Sequence, residues 1–196
     1  MNNRYLFVDG SNLYNSQYEM FGPNRYLDFS LLIKSIEFNL KIKFNKIYFY
    51  ASYSPKSKEP THKEKKYLKN EALFYQSVKR TRSISFFKGY RSKTSGKEKE
   101  VDVKLAVDIV DFAHRRIFNK AFLLSGDADF MQALHTIKNL QISTTVLSMQ
   151  NKVMFKAILF YKTYVIRFNN DNLKLYKIKK KPQYLTLDKN RLLKSV

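Results

Sequence analysis

Short apolar runs alternate along this chain with longer stretches whose apolar positions recur at helical spacing. The runs are Tyr5-Leu6-Phe7-Val8, Lys46-Ile47-Tyr48-Phe49-Tyr50-Ala51, residues 83–90, Ala121-Phe122-Leu123-Leu124-Ser125, residues 144–148 and Tyr164-Val165-Ile166-Arg167-Phe168. Rich in β-branched and aromatic residues and bounded by polar or glycine-containing turns, each predicts a strand. Between them, Leu31, Leu32, Ser35, Ile36, Phe38 and Leu40, at mostly helical spacing, predict a helix over residues 27–43, with Asp28 or Ser30 as its N-cap. Leu105, Ile109, Phe112 and Ile117 form an apolar stripe that predicts a helix over residues 101–117. Further helices are expected over residues 61–78, 127–140 and 152–162. The segment with Pro55 and Pro60 and the charged residues 91–100 read as loops.

Continuously apolar strands that alternate with helices belong to a parallel sheet covered on both faces. The expectation is an α/β fold: a three-layer α/β/α sandwich around a mainly parallel sheet of about five or six strands, within residues 1–168. Residues 169–196 turn polar and basic and read as a C-terminal extension.

Composition narrows the function. The 196 residues contain no cysteine, which removes disulfides, thiol catalysis and Cys-based zinc sites. No stretch approaches the roughly 20 apolar residues of a membrane helix, and the N-terminus lacks the layout of a signal peptide. A cytoplasmic protein with no membrane attachment is expected. Lys and Arg number 37 against 16 Asp and Glu, a net charge of +21 that favours polyanionic partners. Between Lys56 and Lys104 the basic residues interleave with Tyr67, Tyr75, Phe86, Phe87 and Tyr90, and residues 174–194 are basic again. Cations for phosphates and aromatics for bases suit single-stranded nucleic acid.

Against that excess the placement of the scarce acids matters. Asp9 and Asp127 follow apolar strands in turns that contain Gly10 and Gly126, at the edge where parallel sheets bind ligands. Asp102 opens the helix after the charged loop, and Asp129 lies two residues beyond Asp127. Helix capping alone accounts for Asp102 or Asp129 taken singly. It accounts less well for acids gathered at strand ends in so basic a chain. Carboxylates there would repel one another and any phosphate unless they hold cations, and hard oxygen ligands suit Mg2+ or Mn2+. Metal-assisted phosphodiester hydrolysis follows. Other chemistries find less support. His62, His114 and His135 show no metal-ligand spacing, Ser11 and Ser125 lack the partners of a triad, and no phosphate-binding glycine loop is present. Tyr14 and Tyr18 are open to either base stacking or packing.

Three segments, Phe7-Val8-Asp9-Gly10-Ser11-Asn12-Leu13, Val101-Asp102-Val103-Lys104-Leu105-Ala106-Val107-Asp108 and Leu123-Leu124-Ser125-Gly126-Asp127-Ala128-Asp129-Phe130, resemble the motifs of the NYN domain family, in the PIN-like nuclease superfamily. The resemblance implies a parallel α/β/α sandwich with an acidic pocket and endonucleolytic cleavage of RNA with Mg2+ or Mn2+. It implies Asp9, Asp102, Asp127 and Asp129 as metal-site carboxylates, Asn12 as a polar helper toward water or phosphate, and Ser125 as an orienting partner. Asp108 matches the pattern as a supporting residue, ahead of a direct ligand. Glu98-Lys99-Glu100 departs from the small residue usual before the Val-Asp pair and is expected to be solvated; Ala128 replaces a frequent serine. RNA is the expected partner, single-stranded before double-stranded, with single-stranded DNA behind it; oligomeric state stays open. The alternatives are a non-catalytic nucleic-acid-binding module on the same fold, a small-molecule phosphatase, and an interaction or regulatory protein that merely uses the scaffold. The second is weakened by Ser11, which stands where such enzymes carry a second aspartate.

Overall fold

A computed structural model describes residues 3–91, 98–150, 161–168 and 183–196. In chain order it runs β1 (Arg4–Asp9), α1 (Gly10–Phe21), β2 (Arg25–Leu27), α2 (Phe29–Leu40), β3 (Lys46–Ala51), α3 (His62–Lys79), β4 (Ile84–Lys88), β5 (Tyr90–Arg91) and β6 (Glu98–Lys99). There follow α4 (Val101–His114), β7 (Lys120–Leu124), a 3-10 turn (Ala128–Phe130), α5 (Met131–Asn139), β8 (Ser143–Met149), β9 (Thr163–Phe168), β10 (Gln183–Leu187), α6 (Lys189–Leu192) and β11 (Leu193–Ser195). The helix expected over residues 152–162 falls almost wholly outside the described residues.

The central sheet has seven strands in the order β10-β9-β8-β7-β1-β3-β4. Every neighbouring pair is parallel. The seventh strand is β10, from the segment read as an extension. It adds to β9 at the edge, with Leu185 and Leu187 buried. Residues 193–195 then pair antiparallel with β2.

The chain leaves β1 toward β3 and β4, then returns to β1's other side with β7 and continues outward. The carboxyl ends of β1 and β7 therefore flank a topological switch point, where successive connections diverge and leave a crevice. One face of the sheet packs Leu6, Val8, Phe49 and Phe122 against α1, α2 and α3. The other packs Phe7, Tyr50 and Leu123 against α4 and α5. The aromatics between Lys56 and Lys104 mostly belong to these layers: Tyr75 is buried, Tyr67 and Phe86 pack on the first core and Phe87 on the second. Tyr90 is exposed. Tyr14 is buried too, its hydroxyl donating to the Tyr67 carbonyl at 3.1 Å, and Tyr18 packs against the Tyr67 ring. An aromatic side chain gains more by filling a core than by waiting for a base, since burial removes its whole area from water.

The helices start where the local chemistry directs. Asp28 caps α2 by accepting the Leu31 N–H, and Thr61 and Glu64 exchange hydrogen bonds in a capping box at α3. A buried polar cluster fastens α1 to α3 and β2. Asn70 is fully buried, its Nδ2 donating to the Pro23 and Arg25 carbonyls at 3.1 and 2.7 Å and its Oδ1 accepting from Gln17 Nε2 at 3.2 Å. Gln17 Oε1 in turn accepts the Leu27 N–H at 3.0 Å. Asn70→Ala strands these groups without water, so it is expected to lower stability by about 2–3 kcal/mol, read from the midpoint of urea unfolding.

Candidate active site

Asp9 is the last residue of β1 and the N-cap of α1. One carboxylate oxygen accepts the Asn12 N–H at 2.9 Å, which closes the first helical turn. The other accepts the Ser125 hydroxyl at 2.9 Å, from just beyond β7. The same Ser125 oxygen accepts the Asp127 N–H at 3.0 Å. Asn12 completes the frame from the opposite side, its Oδ1 accepting the Gly126 N–H at 3.1 Å. Two hydrogen bonds thus stitch the turn after β1 to the turn after β7 across the crevice, and one within each turn braces it.

Two glycines allow this closeness. A Cβ on Gly10 would stand 2.2 Å from Phe49 Cε1 and 2.8 Å from the Tyr50 carbonyl oxygen. A Cβ on Gly126 would stand 3.2 Å from Ser148 Oγ. The backbone here runs at the limit of contact between neighbouring strands.

Asp9 is 3% exposed, and burial pushes its carboxyl up to about 7. The hydrogen bonds from Asn12 and Ser125 work against that rise, while the charges of Asp102 and Asp127 add to it. Those two charges place Asp102 and Asp127 within electrostatic reach of Asp9. Asp102 is exposed in the first turn of α4, and Asp127 is half-buried as the cap of the following 3-10 turn. Asp127 Oδ1 accepts the Asp129 N–H at 3.0 Å, and Asp129 itself is exposed.

Asp108 is turned elsewhere. It is buried, takes a hydrogen bond of 2.8 Å from the Tyr50 hydroxyl and is ion-paired with Lys104. Since Tyr50 pairs with Asp9 across β1 and β3, this contact ties α4 to the strand beside the site. Burial and the Asp108 carboxylate both push the Tyr50 hydroxyl well above the usual phenol range, so it stays a donor. Tyr50 was not singled out in the sequence, although it lies one residue before the end of a strand, level with Asp9. Glu98 and Lys99 form a short strand paired with β5, and Glu100 precedes α4 in the left-handed region at φ 72°.

Among the described residues no three His, Asp or Glu side chains are grouped as a ready-made metal site, and no helix is long and apolar enough to cross a membrane. The donor chemistry is nonetheless that of a hard cation: three carboxylates on separate segments, one of them buried beside the negative charge of the others.

Among curated proteins no significant match is found. A solved structure, that of a protein of unknown function from Vibrio parahaemolyticus RIMD 2210633, is similar over 97% of this chain and 96% of its own, with a TM-score of 0.59 and 15% identity. At that identity the likeness concerns the fold. The sequence pattern of the NYN domain matches residues 4–167, from the first residue of β1 to the penultimate residue of β9. That span takes in all three acid-bearing segments, and the chain belongs to the NYN domain family, a family of PIN-like nucleases.

Proposed function

We propose that this chain is a metal-dependent endoribonuclease of the cytoplasm, acting on single-stranded RNA at the crevice between β1 and β7. The observation that carries the reading is Asp9, buried at the switch point and raised toward neutrality by burial and by two neighbouring carboxylates. A divalent cation, Mg2+ or Mn2+, held by Asp9, Asp102 and Asp127 would return that carboxyl to its charged form. When bound, the ion supplies charge stabilisation at the scissile phosphate.

The chain's own residues supply the rest. Ser125 and the Asn12 N–H fix both Asp9 oxygens, so the carboxylate keeps one orientation. Asn12 Oδ1 is engaged by Gly126, which leaves its Nδ2 as the donor for a phosphate oxygen. Asp129, exposed beside Asp127, accepts the proton of the attacking water. The water oxygen bonds to phosphorus as the bond to O3′ breaks, leaving a 5′-phosphate, and the departing O3′ takes a proton from solvent to become a 3′-hydroxyl.

The test is cleavage of an end-labelled single-stranded RNA with Mn2+, comparing wild type with Asp127→Asn. Metal-dependent cutting that falls by roughly 10^3-fold in the variant is expected, the loss that follows from several kcal/mol of charge stabilisation. Tight RNA binding by both proteins with cutting by neither would instead identify a nucleic-acid-binding module, the reading that the net charge of +21 favours. Equal cutting by both would remove these aspartates from the mechanism.

A further inference from the structure

The opposite pole of the sheet carries a second collection of chemistry. Arg4 opens β1 five residues before Asp9, so the two lie roughly 17 Å apart along one strand. Beside Arg4, the C-terminal end of α2 borders an open groove of about 860 Å³, lined by Arg4, Lys34, Phe38, Lys41 and Lys43 among others. Glu37, the one carboxylate among the described residues that line it, accepts the Phe44 N–H at 2.8 Å and the Lys43 ammonium at 2.9 Å. The groove therefore keeps a strong positive excess. Lys120 pairs with Arg4 across β7 and β1 on the same sheet face. Burial, then the neighbouring Lys162 and Arg4 cations, hold its ammonium below the usual range.

Phe38 stands in the middle of this field, 83% exposed. Lys34 and Lys41 lie one turn before and one turn after it, so the three form a stripe along the helix. A second groove of about 510 Å³, also bordered by Lys34 and Phe38, runs between α2 and residues 186–192, with Arg191 in its lining ion-paired to Asp188 at 3.4 Å. Phe38 is thus an aromatic ridge shared by two channels with cations in both. A ring so exposed gains nothing from the fold, whereas an aromatic face flanked by lysines matches a base and the phosphates on either side of it.

We propose that this pole is a second binding surface for single-stranded nucleic acid, with Phe38 stacking on a base and Arg4, Lys34 and Lys41 holding the adjacent phosphates. It rests on the nucleic-acid reading of the chain but not on cleavage. A strand long enough to reach from this surface to Asp9 is held at both ends of β1, so long substrates bind more tightly than short ones.

The test is fluorescence anisotropy with a labelled oligouridylate of about a dozen nucleotides, in EDTA, over a series of salt concentrations. Phe38→Ala is expected to weaken binding about tenfold with the salt slope unchanged. The double variant Lys34→Gln/Lys41→Gln is expected to flatten the slope of log K against log salt by about 1.4, near 0.7 for each phosphate contact on a single strand. Mn2+-dependent cleavage of a dinucleotide, too short to span the strand, stays at the wild-type rate in both. Wild-type affinity and slope in both variants would overturn the proposal while leaving the catalytic reading intact. A wild-type protein that neither binds nor cuts RNA would overturn the two together. Unchanged RNA binding with lost binding to phosphatidylserine vesicles would assign the surface to a membrane and overturn the proposal as well.

Discussion

Asp9→Asn stabilises the metal-free protein at pH 8 while it abolishes RNA cleavage. Asp9 has a carboxyl raised from 3.8 to about 7 in the fold, with burial as the main cause. A group with a raised folded-state pKa contributes its full stability below the unfolded value. That contribution is lost as pH rises from about 3.8 to about 7, and it stays lost above. The shift corresponds to a penalty on the order of 4 kcal/mol at pH 8. Asparagine keeps the shape, accepts the Asn12 N–H and carries no charge, though its amide must re-pair with the Ser125 oxygen. A net gain of about 1–2 kcal/mol is expected, seen as a rise in Tm of roughly 3–8 °C in EDTA. The gain shrinks as pH falls from about 7 toward 3.8 and is gone below that value, where wild-type Asp9 is neutral in both states. Adding Mn2+ at pH 8 raises the Tm of wild type by mass action and leaves the variant unmoved. A variant that melts below wild type at pH 8 would show that the fold already satisfies the ionised carboxylate. Cleavage falls by roughly 10^3-fold or more, because the charged ligand is lost even as the scaffold firms.

Gly10→Ala moves both quantities down together. The added methyl meets the Phe49 ring at 2.2 and 2.5 Å and the Tyr50 carbonyl at 2.8 Å. Phe49 is fully buried among Phe29, Phe74, Tyr75 and Phe86 and cannot swing away, and the carbonyl belongs to the central sheet. The strain has to be relieved by lifting α1 from β3. A loss of about 3 kcal/mol is expected in urea unfolding. The lift also draws the Asn12 N–H from Asp9 and Asn12 Oδ1 from Gly126, so activity falls at temperatures where the variant is still folded. The opposite signs of the stability change in Asp9→Asn and Gly10→Ala separate a group kept for its charge from one kept for its lack of a side chain.

Much of the architecture was legible because a doubly covered parallel sheet leaves a plain mark. Leu6-Phe7-Val8 and Phe122-Leu123-Leu124 are apolar at every position, since one core takes Leu6, Val8 and Phe122 and the other takes Phe7 and Leu123. The strand-end acids were legible for the same reason, as an aspartate stands out after such a run. What escaped was structure whose residues carry two meanings. Gly10-Ser11-Asn12 reads as a turn, yet Asp9 caps a helix there and those residues form its first turn. β10 buries Leu185 and Leu187, but two leucines are faint among so many lysines. The contacts that organise the site were hidden by distance. Nothing in the spacing of Ser125 and Asp9, or of Tyr50 and Asp108, announces a hydrogen bond.

The position of β7 beside β1 also sets when the molecule becomes competent during its own synthesis. Asp9 emerges before its partner Ser125, which lies 116 residues later. At about 5–20 residues per second the ribosome needs roughly 6–23 s to supply that partner. Until then β1 has only β3 beside it in the sheet, with β4 beyond, and Asp9 lacks its Ser125 partner. A growing chain tethered to the message it is translated from therefore holds an incomplete crevice throughout that interval. Any cutting it performs must begin after the third motif has been made.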